Sequence, residues 1–136
     1  MATYGGDIIE ITVNNPNVGS IILFPKSSED STYDNGGFRT NDDANMIDGS
    51  GAAIYQKNRT RPSFMVKIRW DMINAQELEF LSAITSDTSE STWTFTNTNG
   101  VIYKLTGTQV GDLTGNGNDS TIDLKVAGSG TMQIIS

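Results

Sequence analysis

The sequence predicts a mainly β domain with a single helix, a β-sandwich or barrel-like fold of about seven strands. Three observations carry this reading. Phe64, Val66, Ile68 and Trp70 alternate with Met65, Lys67 and Arg69, the period-two pattern of a half-buried strand, since successive side chains point to opposite faces. From Asn74 to Ser86 the period changes, and Leu78, Leu81 and Ile84, joined by Ala75 and Phe80, make one apolar stripe at helical spacing. Elsewhere short alternating runs are separated by clusters of Gly, Asn, Asp and Pro, residues that favour turns.

Taken in order, Ile8–Val13 reads as a first strand, with Ile9, Ile11 and Val13 on one face and Ile8, Glu10 and Thr12 on the other. Asn14–Asn17 is a turn, and Ser20–Phe24 a second strand closed by Pro25, which cannot donate to a ladder. Lys26–Gly51 reads as a long acidic, glycine-rich loop holding Tyr33, Phe38, Met46 and Ile47. Loops of that length in a compact domain are usually functional, and Asn35-Gly36-Gly37 leaves room for a short hairpin within it. Ala52–Lys57 is expected as a third strand and Asn58–Arg61 as a basic turn before the strand at Phe64–Trp70. The helix is expected around 74–86, with Asn74 as N-cap, Glu77 reaching back to its amide, and Ile73 stapled to Leu78. Trp93 and Phe95 then alternate with Thr92, Thr94 and Thr96. The Asn97–Gly100 turn leads into a return strand Val101–Thr106, and Gly111–Asp119 is a further turn. Thr121–Val126 is the last full strand, and Met132–Ile135 an edge strand. The 136 residues form one domain.

The chain has no cysteine and no histidine, which removes disulfides, thiolate or imidazole metal sites, and His-dependent catalysis. Its net charge of −7 and pI near 4.3 oppose a nucleic-acid grip. The charge is segregated, however. Lys57, Arg59, Arg61, Lys67 and Arg69 follow one another with no acid between them, while acids dominate before and after. Such segments suit complementary self-association. No apolar run approaches the length of a membrane span and the N-terminus lacks a signal-peptide pattern, so no membrane insertion is expected.

Individual motifs point to no enzyme and no cofactor or metal. Asp112, Asn116, Asn118 and Asp119 resemble a calcium loop in composition but lack its ligand rhythm and terminal Glu. Glu77 and Glu79 are two apart on a helix and do not share a face. Trp93 with Tyr103 leaves open a carbohydrate-binding β-sandwich; the alternation of Trp93 and Phe95 with threonines favours a core role for that pair.

The early strand plus long acidic loop (Ile8–Gly51), the strand-to-helix segment Phe64–Ile84, and the ending GTQVGDLTGNGNDSTIDLKVAGSGTMQII together resemble the phage tail tube proteins, the major tube subunits of long-tailed phages. The resemblance spans nearly the whole chain and leans to contractile tails. It implies a tail-tube fold, a virion protein made in the bacterial host cytoplasm, and hexameric rings that stack into a tube. Sheath and baseplate or terminator proteins would be its other partners, and double-stranded DNA would pass through the lumen without specific binding. The 26–51 loop would then be the inter-subunit element, with contact candidates Phe38, Asp42, Asp43, Met46, Ile47, Lys57, Arg59 and Arg61. Glu10, Thr12, Thr92, Thr94, Asp123 and Lys125 are the lumen candidates. The tube subunit of a related injection or secretion system is the neighbouring reading.

Overall fold

The computed structural model describes residues 2, 4–29, 31–40 and 45–135. The chain begins with strands β1 (Ile8–Asn15) and β2 (Gly19–Leu23), followed by β3 (Thr32–Asp34), β4 (Gly37–Thr40), β5 (Met46–Ile47), β6 (Ala53–Ile54), β7 (Lys57–Thr60) and β8 (Ser63–Arg69). Helix α1 (Gln76–Ser86) comes next, then β9 (Ser91–Asn97), β10 (Ile102–Gln109), β11 (Thr114–Asn116), β12 (Thr121–Gly128) and β13 (Gln133–Ile134). The main antiparallel sheet runs β2-β1-β9-β10-β12-β8-β3, with β11 on β12 and β13 on β10. The expected mainly β fold with one helix is what the chain adopts.

The sheet closes on itself. Beyond β2 the chain continues along the free edge of β8, where Arg69 N donates to Phe24 O (2.7 Å) and Lys26 N to Lys67 O (2.9 Å), with Pro25 opposite Ile68. The bonds fall on the residues either side of Pro25, so its missing N–H leaves no gap. β3 takes the rest of that edge, pairing Thr32 with Met65 and Asp34 with Ser63. The result is a small barrel whose inner face is filled by Ile11, Val13, Leu23, Phe64, Ile68, Trp93, Phe95, Leu105, Ile122 and Leu124, all essentially inaccessible. Closure brings β8 across from β9, where the Phe64 and Phe95 rings lie 4.7 Å apart and Phe64 meets Trp93 edge-on at 6.1 Å. Such aromatic pairs each contribute roughly 0.5–1.5 kcal/mol beyond burial.

The sharpest corner lies where β10 passes from β9 and β13 to β12. Only residues 107–109 of β10 pair with residues 126–128 of β12. Gly107 and Gly128 are opposite each other, and a Cβ on either would strike the other strand's backbone. Trp93 Nε1 donates to Gly107 O (3.1 Å), tying the aromatic core to this seam. The tail behaves as expected, with β13 on β10 and Met132 buried.

Several local expectations are corrected. Ile9 is 51% exposed rather than aligned with Ile11, because a bulge between Ile8 and Glu10 turns Ile8 inward instead. The helix starts at Gln76, preceded by Ala75 in the left-handed region (φ 55°), and has no side-chain cap bond. Asn74 does not cap it. Asp71 organises the turn instead, accepting Ile73 N (3.1 Å), Asn74 N (3.3 Å) and Asn74 Nδ2 (2.9 Å). Glu77 does reach back, but to Asp71 N (3.1 Å). Ile73 is 94% exposed, so there is no staple. The remaining correction, at residues 26–60, concerns the site itself.

Candidate assembly interface

Residues 37–40 and 45–60 are not a loop followed by a strand but the two limbs of a β-hairpin arm. At its base Gly37 to Thr40 pair with Thr60 to Lys57, and further out Met46 pairs with Ile54 and Ile47 with Ala53. The expected strand Ala52–Lys57 is therefore replaced by β6 and the start of β7, both in the arm's return limb. The tip is well organised. Asp48 accepts Ser50 N (2.8 Å), Ser50 Oγ (2.6 Å) and Ala52 N (3.1 Å), and these bonds hold its carboxyl below the ordinary value, the Ser50 hydroxyl most strongly. Gly51 supplies the positive φ of 89° that this turn needs. Asn45 Oδ1 accepts Gln56 N (3.0 Å), bracing the two limbs below the tip.

The arm's large apolar side chains are uncovered. Phe38 is 67%, Met46 69% and Ile47 72% exposed, and Ile54 and Tyr55 are exposed as well. Met46 and Ile54 form one cross-strand pair and Ile47 and Ala53 the next, so the tip is apolar on both faces. Burying five such side chains would release on the order of 5–10 kcal/mol, at roughly 1.5–3 kcal/mol for each fully exposed one. That is comparable to the freedom lost when two bodies associate. One arm contact alone is therefore marginal, while several acting together are not.

The basic candidates sit on the arm's stem. Arg59 lies over the Phe38 ring (5.2 Å to its centroid), directly across the β4–β7 ladder. Lys57, Arg59 and Arg61 are all exposed and form no ion pair among the described residues. Arg39, on the opposite face, is held by Asp34 (2.9 Å to each carboxylate oxygen). Asp34 also accepts Gly36 N; that bond first, and Arg39 second, lower its carboxyl. Asp42 and Asp43 lie outside the described residues. Phe38, Met46, Ile47, Lys57 and Arg59 are thus brought onto one element, with Arg61 just beyond it. Sequence reasoning missed Ile54 and Tyr55 as arm residues, because their limb read as a separate strand. The signal available was the apolar symmetry of Met46-Ile47 and Ile54-Tyr55 about Asp48–Gly51.

The lumen candidates share the barrel's outer face but split into two patches. Thr12 lies opposite Thr94, Glu10 opposite Thr96, and Thr92 opposite Asn14. This half-buried threonine patch continues onto Lys104 and Thr106 of β10. Asp123 and Lys125 lie beyond β10, opposite Lys67 and Met65. There they line a cleft of about 480 Å³ with Val110, Asp112 and Thr32. Asp119, from the calcium-like turn, accepts from Thr121 Oγ1 (2.8 Å) and Lys26 (3.4 Å).

No protein-family model matches the chain, and no curated protein matches it significantly. The arm and the barrel therefore carry the functional argument by themselves. Trp93 is fully buried and Tyr103 stacks on Phe95 at 5.2 Å, so Trp93 offers no exposed ring for a sugar. Among the described residues no helix is long and apolar enough to cross a membrane.

Proposed function

We propose that this chain is a structural subunit that self-assembles into stacked rings forming a tube, in the manner of a phage tail tube. The observation that carries the reading is the arm. A closed, well-filled barrel has no folding need for a hairpin whose Phe38, Met46, Ile47, Ile54 and Tyr55 stand in water. An exposed apolar element of that kind is explained by a partner that covers it. Charge segregation adds support, since the stem's exposed Lys57, Arg59 and Arg61, which form no ion pair among the described residues, belong to a chain of net charge −7.

The reading also accounts for the rest of the surface. An acidic body repels phosphate, so DNA would slide through an assembled conduit rather than bind its wall. The patch around Thr12, Thr92 and Thr94 holds uncharged hydroxyls, with Glu10 and Lys104 of opposite sign. Such a face offers no cluster of cations to DNA. The tube of a related injection or secretion system would use the same subunit surfaces, and the presence or absence of capsid genes beside its gene separates the two.

Sedimentation velocity across a concentration series tests the proposal. The expected outcome is a concentration-dependent shift from monomer to ring-sized and larger species. A strictly monomeric protein at millimolar concentration would overturn it.

A further inference from the structure

The two ends of the barrel differ in chemistry. The arm leaves at the end where Gly128 N donates to Pro62 O (3.0 Å) and Gly36 bridges Thr131. At the other end lie α1 and the β1–β2 turn, fixed by Thr85 Oγ1 donating to Gln109 Oε1 (3.0 Å) and Asn17 Nδ2 to Ser89 Oγ (2.8 Å). Between Asp71 and Glu90 there are five acids and no lysine or arginine. Two of them, Glu79 and Glu90, are exposed. This acidic end also holds a depression of about 340 Å³ between β2 and α1, lined by Val18, Ser20, Ile21, Glu79, Phe80 and Ala83. Val18 is exposed there, and Ile21 and Phe80 are only partly covered.

We propose that the arm of one copy docks on the acidic end of a second copy, with its tip in the depression between β2 and α1. Resting on the self-assembly proposed above, this assigns the contact and its polarity. The tip supplies Met46, Ile47 and Ile54 to Val18, Ile21 and Phe80. The stem's Lys57 then lies against Glu79 at the rim of the depression, with Arg59 and Arg61 trailing towards Glu90. At roughly 3.3 Å per residue Lys57, Arg59 and Arg61 trail Ile54 of the tip by about 10, 16 and 23 Å, so Lys57 is the cation within side-chain reach of the depression's rim. The acidic stretch from Glu79 along the helix is itself on the order of 10 Å long before it turns towards Glu90. Arm and depression sit at opposite ends of one barrel, so the contact is heterologous. It repeats from copy to copy instead of closing as a two-fold dimer.

The absence of cysteine allows a direct test. A full-length protein carrying Ile47→Cys and Ala83→Cys, oxidised mildly after assembly, should run as a ladder of covalent multimers, whereas each single variant gives dimers at most. Independently, Lys57→Glu should raise the concentration needed for assembly at least tenfold. Adding Glu79→Lys to it should recover most of that loss, with far-UV circular dichroism unchanged throughout. If the wild type assembles but the double-cysteine protein gives no ladder and the charge swap rescues nothing, this docking is wrong while self-assembly stands. If the wild type does not assemble at all, both proposals fall.

Discussion

Replacing Leu81 by alanine tests how the helix is held. Leu81 is fully buried, and α1 rests chiefly on β10, with Leu81 and Ile84 as its inaccessible residues. Truncating a buried leucine costs about 2–5 kcal/mol, the transfer loss plus whatever cavity remains. A helix lying on one strand can settle partly into the space, which places the cost near the middle, at about 3 kcal/mol. With an unfolding entropy of roughly 2.1 cal/mol/K per residue, the 136-residue chain loses about 3.5 °C in Tm per kcal/mol, so Leu81→Ala should melt about 10 °C lower. Ile73→Ala is the matched control. A hydrophobic staple would make Ile73 matter, but at 94% exposure its truncation should stay within about 0.5 kcal/mol, under roughly 2 °C. Differential scanning calorimetry on both variants decides the point. Equal losses, or a loss below about 3 °C for Leu81→Ala, would refute this account of the helix.

Other outcomes follow from the same geometry. Gly107→Ala and Gly128→Ala each drive a methyl into backbone at the barrel corner, and chemical denaturation should show losses at or above the upper end of the usual 1–3 kcal/mol for overpacking. Gly111→Ala, at φ 76° with open space around it, should lose only about 1 kcal/mol, the left-handed penalty. Asp48 and Asp71 are held below the ordinary 3.8, Asp48 mainly by the Ser50 hydroxyl and Asp71 mainly by the Asn74 side chain. A depressed folded value means that their contribution is present above the unfolded value and is lost as pH falls through the folded one. NMR titration should therefore show the Ser50, Ala52, Ile73 and Asn74 amides moving only below about pH 3.8, and midpoints above that value would contradict the turn geometry. Replacing residues 41–56 with a short Gly-Asn turn should leave Tm within about 2 °C yet abolish assembly, as read by calorimetry and light scattering.

The parts of the fold that were legible in the sequence are those dictated by local periodicity. Phe64–Ile68, Trp93–Phe95 and Ile122–Val126 alternate because each has one face in the barrel and the other towards solvent, and the structure buries the faces the pattern names, with Thr121 buried as well at the strand's start. Ile9 broke the pattern because a bulge is a property of strand pairing, invisible within one strand. Barrel closure was illegible for a related reason. Pro25 reads as a terminator, and only its pairing with Ile68 shows the chain continuing along β8. The spacing of Asn74 to Glu77 matches a capping box and so points to a helix start at Asn74, whereas it is Asp71 N, six residues before Glu77, that donates to the Glu77 carboxylate. The apolar residues of the arm were visible as out of place, but their hairpin was not. Its ladder is short, polar at the stem, and set by the Asp48–Gly51 turn rather than by alternation.

Electron cryo-microscopy of the concentrated full-length protein beside the variant lacking residues 41–56 tests the central claim most directly. The account predicts stacked rings for the full-length chain, with each arm buried against a neighbouring copy, and isolated folded barrels for the variant. Rings or tubes that form equally well without the arm, or arms left free in solvent within the assembled particle, would contradict it.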